Sequence, residues 1–178
     1  ALMKSGVDVQ KELLWRLGNL EIWCSSKDKR LGRFKLLHMA CQGGHLMVVK
    51  ALIDAGADVN CRRNMAGIPP LLFAAGLGHA PVVLALIKAG ADVNLADAAG
   101  RVPLLLAAEA GNVKCVSLLI YAGVNIRYVY PDSGGATALT CAKNNGRDEV
   151  VKLLEKAACW GCRIQWDKLH EIFGGIAE

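Results

Sequence analysis

Two cysteines near the end of the sequence have the spacing of metal-binding or redox-active thiols. Cys159-Trp160-Gly161-Cys162 is a CxxC motif, and His170 follows eight residues after its second cysteine. Two thiolates and an imidazole can bind zinc, but a structural zinc site takes four ligands and the chain has no second CxxC. A redox-active pair would belong to a βαβ unit, whose pattern the chain lacks. The motif therefore predicts neither a metal centre nor a redox site.

The remaining groups do not form a catalytic pattern. Three of the four histidines (His38, His45, His79) occur at positions explained by turns, and none lies beside Ser or Cys in a nucleophile arrangement. The sequence has neither a Gly-Lys-Ser or Gly-Lys-Thr phosphate loop nor a dinucleotide fingerprint. Cys115 and Cys141 fall at positions that predict burial, where a thiol serves as a small apolar side chain. We predict a protein that is not an enzyme and uses no metal, cofactor or small-molecule substrate.

Composition favours one folded domain. The 178 residues are 53% hydrophobic, with a mean hydropathy of +0.30, which is enough to build a core. The formal net charge of +5 is too small to imply nucleic-acid binding by itself. Scattered cysteines without a signal-peptide pattern predict free thiols in the cytoplasm or nucleus. Because the first residue is not Met, we also expect the chain to be part of a longer protein.

A charge-free run from 64 to 87 has the length of a membrane span. It contains Pro69, Pro70 and Pro81 together with several glycines. These breakers predict two short helices and a turn instead, so we expect no membrane insertion.

The strongest signal in the sequence is a repeat of about 34 residues. Gly-Ala-Asp-Val-Asn begins at Gly56 and again at Gly90, and a weaker echo begins at Gly123. A second marker recurs at spacings of 34, 33 and 35 residues, as Gly44-His45, Gly78-His79, Gly111-Asn112 and Gly146-Arg147. Several markers in one register through four copies predict a solenoid of stacked units.

Each copy has the pattern of two short helices, seen most clearly in the second. Pro70 is suited to a first helical turn, and the apolar residues after it end at Gly76-Leu77-Gly78. Pro81 opens a second helix, which Gly90 ends by permitting a left-handed backbone. The apolar face of that helix is Val82, Val83, Leu86 and Ile87.

This pattern resembles the ankyrin repeat family. The matching stretches are 67–75 with Gly78-His79, 100–108 with Gly111, and the two Gly-Ala-Asp-Val-Asn segments. The resemblance implies an all-α fold: an ankyrin repeat solenoid of stacked helix-turn-helix units with β-hairpin-like fingers. It predicts the following segments: 1–10, second half of a preceding repeat; 11–32, an insertion with an amphipathic helix and a basic loop; repeats at 33–64, 65–97, 98–131 with a lengthened finger, and 132–158; and a capping helix at 159–178.

The chain departs from the family pattern in the turns. The family usually has a histidine that ties neighbouring turns together, and here only His38 holds that position. Leu72, Leu105 and Thr140 replace it in the other copies. Arg33 stands where the first copy would have glycine, and Pro69 and Val102 stand where threonine is typical. These changes replace polar turn contacts with apolar packing.

Three segments outside the regular repeat leave alternatives open. The helix in 11–32 either packs on the solenoid or docks a partner, and the basic residues of 27–35 form either a solvated loop or a contact for nucleic acid. Tyr128 and Tyr130 either contact a partner or pack on the neighbouring finger. In 159–178 the apolar spacing of Trp166, Leu169, Ile172 and Phe173 predicts a capping helix, the alternative being a linker to a further domain.

The resemblance places partner contacts on the concave face and the finger tips. We predict an apolar centre of Met65, Ile68 and Leu77, with Arg62, Arg63, Arg101 and Glu109 around it. The other positions carried over through the matching copies are Arg33, Phe34, Gln42, Ala66, Asn144 and Asn145. Packing of Ile68 and Leu77 on adjacent fingers is the alternative.

We therefore expect a non-enzymatic protein–protein interaction module, an adaptor or scaffold that binds a segment or domain of another protein. Two alternatives remain: a passive spacer between domains, and a nucleic-acid tether through 27–35. Asn60 and Asn94 also resemble ankyrin sites hydroxylated by an oxygen-dependent asparaginyl hydroxylase.

Overall fold

The residues described, from a computed structural model, are 29–62, 67–131 and 134–159, with side chains from 36 to 158. They form eight α-helices in chain order. The helices are α1 (Lys29–Gln42), α2 (Leu46–Asp54), α3 (Pro70–Gly76), α4 (Ala80–Lys88), α5 (Pro103–Ala110), α6 (Val113–Tyr121), α7 (Ala138–Asn144) and α8 (Asp148–Cys159).

The helices pack in two parallel rows. The first helices of the repeats (α1, α3, α5, α7) contact one another in order, and so do the second helices (α2, α4, α6, α8). Within each repeat, the first helix contacts the second. The predicted all-α solenoid is therefore confirmed, with successive repeats as its layers.

Local sequence explains where the helices begin and end. Pro70 and Pro103 occupy the first helical positions of α3 and α5, where a missing N–H costs no hydrogen bond. Thr137 begins α7 differently, because its side chain and that of Thr140 form a reciprocal capping box. Gly90, just beyond α4, has φ +85°, as the predicted left-handed turn requires.

The core runs continuously between the two rows. Its largest fully buried side chains include Leu71 and Leu104 from the first helices and Leu86, Leu119 and Leu154 from the second. No single helix pair could cover this surface alone, so stacking is what buries it.

The segments between repeats form short fingers. Each begins with a turn in which a side-chain oxygen accepts the backbone N–H two residues on: Asp58 to Asn60, Asp92 to Asn94, and Asn125 to Arg127. In the last finger, Val129 forms an isolated antiparallel bridge with Thr137. Asn125 therefore takes the place of the aspartate in the weaker third copy.

The first repeat differs from the predicted boundaries. Helix α1 begins at Lys29, so the basic residues from Lys29 onward lie in a helix rather than in the loop predicted for the end of 11–32. This stretch has no proline, and lysine, arginine and leucine are good helix formers that outweigh the single Gly32. Most of 11–32, the remnant at 1–10 and the segment 160–178 lie outside the described residues.

The fourth repeat ends in a polar surface. Lys143 stands at the position that is fully buried in the earlier copies as Cys41, Ala75 and Ala108. Its Nζ lies 2.9 Å from Oε1 of Glu155, which replaces a partly buried isoleucine of the earlier second helices. Both side chains are about half exposed, at 52% and 50%. An ion pair thus stands where the other repeats make an apolar contact to the next repeat.

Candidate functional site

A row of apolar side chains follows the exposed side of the first helices. We call Met39, Phe73, Leu106 and Cys141 the inner stripe, because they occupy one equivalent position in the four copies. Met39 is 62% exposed, and the other three are half-buried. Leu77, one turn beyond Phe73, is 55% exposed. Successive repeats therefore present apolar surface to solvent along one line.

Packing below the stripe fixes its side chains. Phe73 packs against the core and meets the His38 ring edge-on, with ring centroids 6.0 Å apart. A Cβ added at Gly76 would lie only 3.3 Å from Cβ of Leu106, so the glycine leaves room for this leucine. His38 Nε2 is 2.8 Å from the Ile68 carbonyl oxygen, which is the turn-to-turn contact predicted for this histidine. The stripe thus lies on a rigid base.

The structure separates the members of the predicted apolar centre. Ile68 precedes α3 and is half-buried, whereas Leu77 follows the same helix and is exposed. The seven residues of α3 lie between them, and at the helical rise these alone span about 10 Å. Met65 is outside the described residues, as are Arg63 and Ala66.

The charged residues predicted around this centre are largely engaged within the fold. Arg62 donates to the carbonyl of Ala96 on the next finger. Arg101 pairs with buried Asp97, with Nη2 2.7 Å and Nε 2.8 Å from Oδ2. Glu109 is exposed, while its backbone carbonyl accepts from Nε of Arg147 at 3.1 Å. Arg62 and Arg101 therefore organise the fingers.

The other predicted contact positions in the described residues belong to the first helices or directly follow them. Arg33 and Phe34 fall inside α1, where their side chains are not described. Gln42, Asn144 and Asn145 are exposed. Asn145 donates through Nδ2 to the Cys141 carbonyl at 2.9 Å, so it also closes its own helix.

The tyrosine finger packs on its neighbour through Tyr128. The Tyr128 hydroxyl donates to the Gly100 carbonyl at 2.8 Å, and the ring is half-buried against the core. Tyr130 is also half-buried, and its N–H donates to the Ala136 carbonyl at 2.8 Å. Val129, between them, is 51% exposed. Of the two predicted alternatives for this finger, packing on the neighbouring finger is the one that Tyr128 follows.

Asn60 and Asn94 connect adjacent fingers. Asn60 Oδ1 accepts from the Asp92 N–H at 2.8 Å, and its Nδ2 donates to the Gly90 carbonyl at 3.2 Å. Asn94 Oδ1 accepts from the Asn125 N–H at 2.7 Å. Both amides serve the fold, and their hydroxylation stays a prediction.

The described thiols are adapted to burial rather than to chemistry. Burial raises the pKa of Cys41 to about 12, with nearby Cys61 adding to the effect, and raises that of Cys115 to about 11. Burial and the charge of Glu109 also raise the pKa of Cys141. The predicted burial is confirmed for Cys115, but Cys141 is only half-buried because its position belongs to the inner stripe.

The CxxC motif and His170, for which the sequence predicts neither a zinc site nor a redox site, lie mostly beyond the described region. Only the backbone of Cys159, the last residue of α8, is described; Cys162 and His170 are outside. Within 29–62, 67–131 and 134–159, no three His, Cys, Asp or Glu side chains are grouped to hold a metal ion. No helix in these ranges is long and apolar enough to cross a membrane.

Sequence reasoning missed all four residues of the stripe: Met39, Phe73, Leu106 and Cys141. A signal was available, since they recur at 34, 33 and 35 residues in the register of the Gly-His marker. Periodicity alone does not show which side of a short helix stays uncovered.

Stacked helix pairs joined by projecting fingers define a repeat protein. Comparison with protein families agrees with this description: the family model for ankyrin repeats (3 copies) matches residues 2–97 and 71–164. The chain belongs to the ankyrin repeat family. Comparison with curated proteins gave no match.

Proposed function

We propose that this chain is a non-enzymatic adaptor that binds a segment of another protein along the inner stripe and Leu77. Ankyrin repeats generally mediate protein–protein interactions. The observation that carries the proposal is the exposure of Met39 and Leu77, 62% and 55%, in line with Phe73 and Leu106. Large apolar side chains left in water along one line are a reason to expect a partner.

The energetics favour these residues as the centre of an interface. Fully burying a methionine or leucine side chain contributes about 1.5–3 kcal/mol. Phe73 and Leu106 are held from below, so little freedom remains to be lost when a partner binds. The finger side adds exposed Arg127 as a polar contact.

The test is a comparison of two full-length variants as bait for proteins of the source cells. Met39→Glu with Leu77→Glu places two charges on the binding surface. Met47→Glu with Ala158→Glu is the matched control, because it also adds two negative charges, and Met47 is 50% exposed on α2 while Ala158 is exposed on α8. Both should keep the helical circular dichroism of the parent.

We expect the stripe variant to lose one or more captured proteins that the parent and the control variant retain. Identical captures by all three baits would reject the inner stripe as the binding surface. Capture of nothing specific by the parent would support the spacer alternative instead.

The nucleic-acid alternative has a separate test. If the basic segment 27–35 were a tether, the chain would bind RNA or DNA with an affinity that falls steeply with salt. We expect no such binding by fluorescence anisotropy at 50 mM salt.

We propose the cytoplasm or nucleus as the site of action, since the described thiols Cys41, Cys115 and Cys141 form no disulfide.

A further inference from the structure

One acidic side chain lies beside two neighbouring members of the inner stripe. Glu109 is exposed on the last turn of α5, three residues after Leu106. Residues three apart on a helix share a face, with their Cβ atoms about 5–6 Å apart. Burial, and then the charge of Glu109, raise the pKa of Cys141 on α7, the next of the first helices. Glu109 therefore acts on the stripe from its own helix and across to the following repeat.

The Glu109 carboxylate is not neutralised within the described fold. No side chain in 29–62, 67–131 or 134–159 forms an ion pair with it. Arg147 approaches from the following repeat, but its Nε lies 3.1 Å from the backbone carbonyl oxygen of Glu109. That contact satisfies the end of α5 and would form with any residue in place of the glutamate. The carboxylate is thus available to a group from outside.

Its position is unfavourable for the helix that carries it. The C-terminal end of a helix has a partial negative charge, which repels a carboxylate, and α5 has no basic residue in its last turn. The equivalent residues of the other copies are uncharged, namely Gln42, Gly76 and Asn144. The stability of α5 therefore gives no reason for an acid at this position.

A partner that covers the stripe has to accommodate this charge. A segment lying on both Leu106 and Cys141 also removes water from the carboxylate beside them. An apolar cover would leave that charge desolvated and unpaired, which is costly. A lysine or arginine in the segment would instead replace the lost water with charge-assisted hydrogen bonds.

We propose that the partner segment carries a lysine or arginine that pairs with Glu109, among apolar side chains that cover Leu106 and Cys141. This inference rests on the proposed function, because both concern a segment bound along the inner stripe. It adds the chemistry of the partner. A segment that is both basic and apolar is accepted, whereas an acidic one is rejected by like charge.

The experiment selects random peptides displayed on phage, with the full chain as bait. Glu109→Lys inverts the charge beside the stripe. Glu149→Lys is the matched control, because it makes the same exchange at an exposed position of α8, in the row of second helices. Both variants should keep the helical circular dichroism of the parent, since Arg147 contacts the backbone of Glu109 rather than its side chain.

We expect the parent and the Glu149→Lys variant to enrich peptides with a basic residue among apolar ones. The Glu109→Lys variant should enrich an acidic residue at the same place. A synthetic peptide from the parental selection should bind the Glu109→Gln variant about tenfold more weakly, as for the loss of a close interfacial charge pair. Methionine in place of its basic residue should weaken binding to the parent but not to the Glu109→Gln variant.

Enrichment of the same peptides by the parent and the Glu109→Lys variant would overturn the inference. If the Met39→Glu, Leu77→Glu variant then fails to bind those peptides, the proposed function stands without a role for Glu109. Peptides that bind the parent and this stripe variant equally would reject the stripe, and the proposed function with it. Enrichment of no peptide by the parent would also overturn the inference, which requires a short segment, while the capture comparison would still test the proposed function.

Discussion

At the scale of single residues, burial controls the acidity of the thiols. Cys41 and Cys115 hold their protons until about pH 12 and 11, because burial raises each pKa. In an unfolded chain a cysteine ionises near pH 8.5. Above about pH 9 the unfolded chain therefore binds fewer protons than the folded one, and the stability of the fold falls as pH rises.

This fall in stability with rising pH gives a prediction for Cys115→Ala. The variant should lose stability less steeply than the parent between pH 9 and 10.5, because the ionisation of the Cys115 thiol no longer contributes to the pH dependence. Urea unfolding at several pH values measures the slope for both proteins. Equal slopes would contradict the role assigned to Cys115 burial.

Two glycines with similar backbone angles but different surroundings allow the cost of backbone strain to be measured apart from the cost of side-chain packing. Gly56 and Gly100 have φ values of +78° and +79°. A Cβ at Gly56 would meet nothing within 4 Å, whereas one at Gly100 would lie 3.1 Å from Cδ and 3.2 Å from Cγ of Pro131. The pair differs mainly in the contact between neighbouring fingers.

Alanine at Gly56 should cost about 1 kcal/mol, the strain of a left-handed backbone. Alanine at Gly100 should cost about 1–3 kcal/mol more, because the new methyl group overpacks against Pro131. Thermal and urea unfolding of the two variants gives the difference directly. Equal losses of unfolding free energy would contradict this, because they would mean that the finger around Pro131 moves aside without loss of stability.

At the scale of the helices, one position closes each first helix from the following repeat. His79 Nε2 lies 3.0 Å from the Gln42 carbonyl oxygen. Asn112 Nδ2 donates to the carbonyls of Ala75 and Gly76 at 2.9 Å. Arg147 takes the same role toward α5. Three side chains of different chemistry thus satisfy carbonyls at helix ends, which otherwise have no partner within the helix.

Asn112→Ala should lose about 1–2 kcal/mol of stability, because the carbonyls at the end of α3 lose their donor. Asn112→His should recover most of the loss, since His79 makes this contact in the preceding pair of repeats. Urea midpoints of the two variants provide the comparison. A histidine variant no more stable than the alanine variant would show that the donor is not the stabilising feature.

The sequence predicts the helices of each repeat, but it does not predict the side-chain contacts between repeats. The period of 33–35 residues predicted the paired helices, and Pro70 with Gly90 marked the beginning of α3 and the end of α4. Such signals are local, so they can be read along the chain. Contacts between copies depend on which side chains meet in space.

The features that the sequence did not predict depend on which side chains meet in space. The pairing of Arg101 with Asp97 and the hydroxyl bond from Tyr128 to Gly100 depend on finger geometry. The inner stripe depends on which side of the first helices remains uncovered after stacking. Neither property is carried by spacing alone.

At the scale of the whole molecule, the fourth repeat ends the described stack. Lys143→Ala with Glu155→Ile would restore the apolar residue types of the earlier repeats at that surface. We expect this variant to self-associate, because an exposed apolar stacking surface can pair with another copy. Sedimentation velocity over a range of concentrations should show the larger species.

The matched control is Lys152→Ala with Glu149→Ile, which makes the same exchange at exposed positions of α8. It should remain as monomeric as the parent. Self-association of both variants to the same degree would attribute the effect to lost charge rather than to the end of the stack.

The cross-repeat hydrogen bonds of the described side chains join residues only 28 to 38 positions apart, so each repeat is tied to its immediate neighbour. A pulling force applied along the stack would therefore meet these ties one after another. Each repeat that peels away would release about 33 residues and lengthen the chain by about 100 Å. Under tension the molecule would yield in equal steps, as an extensible element whose length reports the load.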